Sequence, residues 1–250
     1  MCCFSRTVQS VADTNIFARA GRDGRQFLAY SMKFRSTEDL AMILPIPTPP
    51  RSPEDAVRFV NLEKYPEFFT DLNKGFPEPP APRSAKTDGP PPPAPAGAPL
   101  AVVEVGGFEA SFVPTVGDFA RLDARFRLPA DTWERLPQYR DFGFAVFKLK
   151  KPDRGDRKVH PMAFDFPRAD RAVLFFPTVH IHDGSVPARA RFDHALYCQL
   201  AEAPRTGWEE SPGLANGFVD ARKAEGLIDP DGHVYRRQMR GVFENRDVGV

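Results

Sequence analysis

The chain has no apolar run long enough to cross a membrane. Its longest runs, Leu40 to Leu44 among them, fall far short of the about 20 residues that a spanning helix needs. The opening Met1-Cys2-Cys3-Phe4-Ser5-Arg6 lacks both the basic and the apolar region of a secretion signal. Cysteine is scarce. Three thiols, an odd number without a framework spacing, exclude a disulfide scaffold and read as reduced groups in a cytoplasmic protein. Charge of one sign is also missing. A net charge of +1 argues against a dedicated nucleic-acid binder, which carries a basic excess. Lysine is rare, 9 residues against 25 arginines, but a bias spread over the whole chain locates no anion site. There is no glycine-rich phosphate cradle, so no nucleotide cofactor is expected, and no serine-centred nucleophile elbow.

Proline, by contrast, is abundant and local. Residues 76–99 hold 10 of the 27 prolines, including Pro90-Pro91-Pro92-Pro93. Proline lacks the amide proton and fixes φ, so this stretch reads as a mobile, extended, polyproline-like loop inside one domain spanning 1–250. A proline-binding module is a conceivable partner for it; a tolerated surface insertion is the plainer reading.

Elsewhere the pattern alternates. Phe27–Phe34 places Leu28, Tyr30, Met32 and Phe34 on one face, as a half-buried strand does. Leu40–Leu44 reads as a buried strand. Ser52-Pro53-Glu54-Asp55 has the signature of a helix start, continued by Val57, Val60 and Leu62. Pro66–Asn73 reads as a second short helix, stopped by Gly75. Leu100–Val105 and Phe108–Val113 flank Gly106-Gly107 as a hairpin. Short helices are predicted at Phe119–Ala124, Ala130–Leu136 and Leu214–Glu225, and strands at Phe142–Lys150, Val159–Phe166, Val173–Ile181 and His233–Phe243. Phe27–Pro47 and Phe142–Pro167 echo each other faintly. Helices and strands do not alternate regularly, so the predicted class is α+β, with a largely antiparallel mixed sheet and short helices.

Chemistry concentrates around the histidines, four of the five falling between 160 and 194. In Thr178-Val179-His180-Ile181-His182-Asp183, a strand would send His180 and His182 to one side. Two imidazoles so spaced form a chelating pair for Zn, Fe or Cu. Ala188–Leu200 alternates as well and is expected to pair back on 175–182 as a hairpin. A helix here would set His194 and Cys198 at i and i+4; the strand separates them by about 13 Å, too far to share one ion. The candidate metal site is therefore His180, His182 and His194 with an open position, and Asp183 or His160 as further ligands. The alternative is that these are structural histidines of a non-catalytic binding or scaffold protein. Cys198 reads as an inert buried thiol. A small-molecule substrate is compatible with the metal reading. Arg236, Arg237 and Arg240 read as a solvated strand face.

A second constellation is the N-terminus. Removal of Met1 would give Cys2 a free amine beside its thiol, the arrangement of an N-terminal nucleophile. Met1-Cys2 followed by Asn15-Ile16-Phe17-Ala18-Arg19 loosely resembles the choloylglycine hydrolase group. That resemblance implies a catalytic Cys2 with an Arg such as Arg19. The Asn-x-Asp that follows in that group is replaced by Ala20-Gly21-Arg22-Asp23.

A broader likeness runs through Gln26-Phe27-Leu28, Asp39-Leu40-Ala41-Met42-Ile43-Leu44-Pro45-Ile46-Pro47, Val105-Gly106-Gly107-Phe108-Glu109, Leu128-Pro129, Leu136-Pro137-Gln138-Tyr139, Phe142–Lys148 and His160-Pro161. With the Cys2-x-Phe4 opening, these patches resemble a bacterial family catalogued only as a domain of unknown function. They cover roughly residues 2–167. The resemblance implies a shared fold and carries no activity.

Overall fold

The computed structural model describes residues 3–77, 103–105, 108–128, 130–149, 157–158, 160–181, 185–202 and 206–250. The proline-rich loop predicted at 76–99 lies outside the described residues except for Phe76 and Pro77.

In chain order the elements are β1 (Cys3–Phe4), β2 (Ser10–Ala20), β3 (Arg25–Arg35), β4 (Leu40–Ile46), β5 (Arg58–Asn61), α1 (Phe68–Lys74), β6 (Val103–Val105) and β7 (Phe108–Val113). Then come α2 (Ala130–Glu134), β8 (Gly143–Leu149), β9 (Arg157–Lys158), β10 (Met162–Pro167), β11 (Phe175–Phe176), β12 (Arg189–Gln199), β13 (Glu209–Glu210), β14 (Tyr235–Glu244) and β15 (Val248–Gly249). Strand dominates and the helices are short, so the fold is α+β with most of its weight in β.

Two sheets carry the structure. The smaller has the order β1-β4-β8-β7-β6, the larger β13-β14-β12-β2-β3-β10-β5, with β9 added to β3; β11 and β15 form a separate pair. Among the described strands, β2 and β12 pair in parallel and every other pair is antiparallel.

Alternation explains how the sheets stack. Along the larger sheet Ile16, Ala18, Leu28, Tyr30, Met162, Phe164, Leu196 and Cys198 face one way, into a core shared with the smaller sheet. The residues between them, Phe17, Ala29, Ala163 and Tyr197, face the other way, against Phe68, Phe69 and Leu72 of α1 and the 215–234 segment. The middle of the large sheet is thus covered on both faces, which requires apolar side chains at successive positions. Aromatic rings bridge the sheets: Phe147 of β8 lies 5.6 Å from Phe59 and 5.9 Å from Phe164. Asp165 is buried on β10, and the arginines of the neighbouring strands, Arg25 and Arg58, both pair with it. A buried carboxylate needs such partners.

Several expectations are met. β6 and β7 pair antiparallel as the hairpin requires, with Gly106-Gly107 outside the described residues, α1 ends at Gly75, and 188–200 is a strand. Three are corrected. Residues 52–57 form turns rather than a helix, and the apolar residues that follow enter β5, where Phe59 and Val60 pair with β10. Leu214–Glu225 holds one 3-10 turn, at Ala215–Gly217, and no longer helix. Here the Asp220 side chain accepts the Arg222 and Lys223 amides, and Glu225 sits at φ 49, so the chain turns instead of propagating. The third is the hairpin expected between 175–182 and 188–200: β11 pairs with β15, while β12 has β14 on one side and β2 on the other. The two stretches that echo each other, 27–47 and 142–167, are built alike. Each stretch crosses between the sheets, so β4 pairs with β8 and β3 with β10.

Candidate functional site

His194 lies on β12, on the face shared by Phe192, Leu196 and Cys198, and is 3% exposed. His180 arrives from the extended segment between β11 and β12. That segment is fixed by side chains rather than by a ladder. Asp247 accepts the Thr178 and Val179 amides at 2.7 and 3.1 Å, and Asn245 accepts the His180 amide at 2.6 Å. The Asn245 amide in turn donates to the carbonyls of His180, at 3.0 Å, and Pro187, at 2.9 Å. Ile181 bridges in parallel to Cys3 of β1. These side chains satisfy backbone groups of the segment in place of a ladder, and both sides of β12 are taken by β14 and β2.

The result places the His180 and His194 rings 5.0 Å apart, centre to centre. Phe192 completes the cluster, 4.5 Å from His180 and 5.1 Å from His194. Two of the three expected ligands are therefore neighbours. His182 and Asp183 lie outside the described residues. Among the described residues no group of three His, Cys, Asp or Glu side chains could hold a metal ion.

The other candidates scatter. His160 stacks on Phe108, with ring centres 4.0 Å apart. Cys198 sits four residues along β12 from His194, and burial pushes its thiol pKa up, away from a thiolate. Cys3 is buried in β1 opposite Ile43, while Cys2 lies outside the described residues. Arg19, the position matched to a catalytic arginine, donates to the carbonyls of Leu227 at 2.6 Å and Gly226 at 2.5 Å. It also lies over the Phe27 ring. These contacts tie β2 to the 226–227 turn. Of the basic cluster, Arg236 is not solvated: it is 5% exposed and bonded to Glu209 and Asn73.

A polar depression of about 290 Å³ was not anticipated. Asp193, Ala195 and Tyr197 of β12 line it, as does His194, and it lies where β2 bulges between Ala12 and Asn15. Asp13 there adopts φ 53 and donates its amide to Asp193, and Asn15 donates to the Asp13 carbonyl. The bulge breaks the alternation of β2, so no period-2 signal marks it. Asp13 is paired with Lys33 at 3.0 Å, and Arg240 approaches Asp193 at 3.9 Å, so its charges are largely matched from within.

No family model matches the chain, and no curated protein does. Among solved structures, the crystal structure of baculovirus P35 is similar over 99% of this chain and 98% of its own, at 14% identity and a TM-score of 0.53. A mutated baculovirus P35 after caspase cleavage covers 94% and 98%, at 14% identity and a TM-score of 0.49. The caspase-8/P35 complex covers 95% of each chain, at 12% identity and a TM-score of 0.47. At this identity the first of them shows one thing about the chain: it has a fold like that of P35.

Proposed function

We propose that this chain is a non-catalytic binding protein whose described histidines are structural. The observation that carries the reading is the packing of His180 and His194 as ring neighbours around Phe192, with the His180 main chain held from both directions by Asn245. Rings used this way fill volume and fix the 175–181 segment to the chain's C-terminal end. Neither Cys198, whose pKa burial raises, nor Arg19, engaged with carbonyls, is poised for nucleophilic catalysis. P35 occurs in a complex with caspase-8, which is a property of that protein. Fold does not fix function.

The second reading is a metal centre at His180, His182 and His194, with Zn, Fe or Cu as the ion. The 5.0 Å ring separation favours it, because imidazoles at that distance can converge on one ion. Thermal unfolding separates the two. The structural reading expects the same midpoint with one equivalent of Zn²⁺, with chelator, and with neither. A saturable rise with Zn²⁺ that is lost in His180→Ala transfers the conclusion to the metal centre.

A further inference from the structure

β14 is paired along its whole length on one side, from Tyr235 opposite Cys198 to Glu244 opposite Arg189. On its other side β13 reaches only Tyr235 and Arg236. Past Arg236, among the described residues, no strand covers that edge. Main-chain groups alternate in direction along a strand, and both ends of β14 fix which residues face outward. The Asn245 amide donates to the Ala188 carbonyl at 2.9 Å, so the odd-numbered residues turn toward β12. The Ser211 amide donates to the Val234 carbonyl at 2.8 Å, on the β13 side, so the even-numbered residues turn away from β12. The register between is unbroken, although Gly241 adopts φ 123. Gln238, Arg240, Val242 and Glu244 therefore direct their amides and carbonyls to the uncovered edge. Two of the carbonyls are partly engaged. The Val242 carbonyl accepts Arg189 at 3.4 Å, and the Glu244 carbonyl accepts the Arg246 amide at 3.0 Å. Each keeps a second lone pair.

The side chains at these positions share one face, and Arg240, Val242 and Glu244 are exposed on it. Their order is cation, apolar group, anion. Under a two-fold axis through Val242 that order is its own complement. Arg240 of each copy then stands opposite Glu244 of the other, and the two valines, each 56% exposed, cover one another. Opposite charges facing across an antiparallel pair stabilise it, and like charges destabilise it. The neighbouring registers lack this match. An axis through Arg240 opposes two arginines, and one through Glu244 opposes two glutamates. An axis through Gly241 leaves both charges without a counterpart, and one through Phe243 sets Arg240 against Arg246. Charge on an edge strand ordinarily deters pairing. Here the same charges deter the other registers and admit one. Asp193, 3.9 Å from Arg240, and Arg246, 3.1 Å from Glu244, are also exposed, and surface ion pairs of this kind are weak enough to be shared.

We infer that this edge is the interface of a symmetric dimer, in which β14 pairs antiparallel with β14 of a second copy of the chain about Val242. The larger sheets of the two copies then continue as one, which removes the open edge.

The test is sedimentation velocity of the full chain from about 1 µM to about 1 mM. A reversible monomer–dimer equilibrium is expected. Arg240→Glu and Glu244→Arg each bring like charges together, and each is expected to weaken the dimer at least tenfold. An equimolar mixture of the two variants restores opposite charges at both contacts and is expected to recover dimer, as is the double variant. Val242→Pro removes an amide that faces the edge and none that bonds to β12. It is expected to give monomer with an unchanged circular dichroism spectrum; if the spectrum changes, the charge variants, at exposed positions, decide alone. A chain that stays monomeric throughout overturns the dimer and leaves the edge to another protein. Single charge variants that dimerise like the parent, a mixture that stays monomeric, or a folded Val242→Pro variant that dimerises like the parent would each overturn it too. Metal content at the histidines has no bearing on the dimer, and a monomeric chain has none on the histidines.

Discussion

Asp247 shows how much one half-buried group can organise. Its carboxylate accepts the amides of Thr178 and Val179 and the hydroxyl of Tyr139, the last at 2.6 Å. Burial raises its pKa, and those hydrogen bonds oppose the rise. An unfolded aspartate titrates near about 3.9. A carboxyl whose folded value is higher contributes stability that is full below that pH and is lost as the pH climbs through the folded value. Asp247→Asn keeps an acceptor for the two amides and presents its amide group to Tyr139. The variant should therefore gain stability relative to the parent as pH rises from 4 to 7, measured by thermal unfolding across that range. A difference that stays constant with pH would contradict the assignment. Nothing in the sequence marks Asp247, because its importance arises from groups 69 and 108 positions away.

At the scale of elements, Asn245 is the clamp on the histidine segment. Asn245→Ala removes the side chain that holds the His180 amide and carbonyl, and hydrogen bonds of this kind contribute about 0.5–1.5 kcal/mol each. Hydrogen exchange should report faster exchange at residues 178–181 than in the parent, with the β12–β14 ladder unchanged. Equal protection in both proteins would show that the clamp is incidental. The strands with unbroken alternation or continuous apolar runs, β3, β4, β8 and β12, were legible in the sequence, since burial on a pleated sheet imposes those patterns. β2 was not, because its bulge at Asp13 disrupts the period. Residues 214–225 misled for a different reason. Ala215, Val219 and Ala224 are buried at nearly helical spacing, yet a series of turns buries them equally well. The nearness of His180 to His194 was expected, but by the wrong route. Side chains from 245 and 247 deliver His180, rather than a hairpin with β12.

Across the whole molecule, one broad sheet is covered on both faces at its middle and, among the described residues, has no strand along part of the β14 edge. The sequence shows which residues are buried, but not that β14 lies at an edge, since strand order depends on pairings between distant segments. No described helix is long and apolar enough to cross a membrane. The likeness to P35 concerns the fold, so activity must be argued from particular groups. The central claim is that His180 and His194 work by packing and that the protein's chemistry lies on its surface. Elemental analysis of the freshly purified full chain, prepared without chelator, tests this most directly. The account predicts Zn, Fe and Cu well below one equivalent per chain. One equivalent that disappears in His194→Ala, while the variant remains folded, would contradict it.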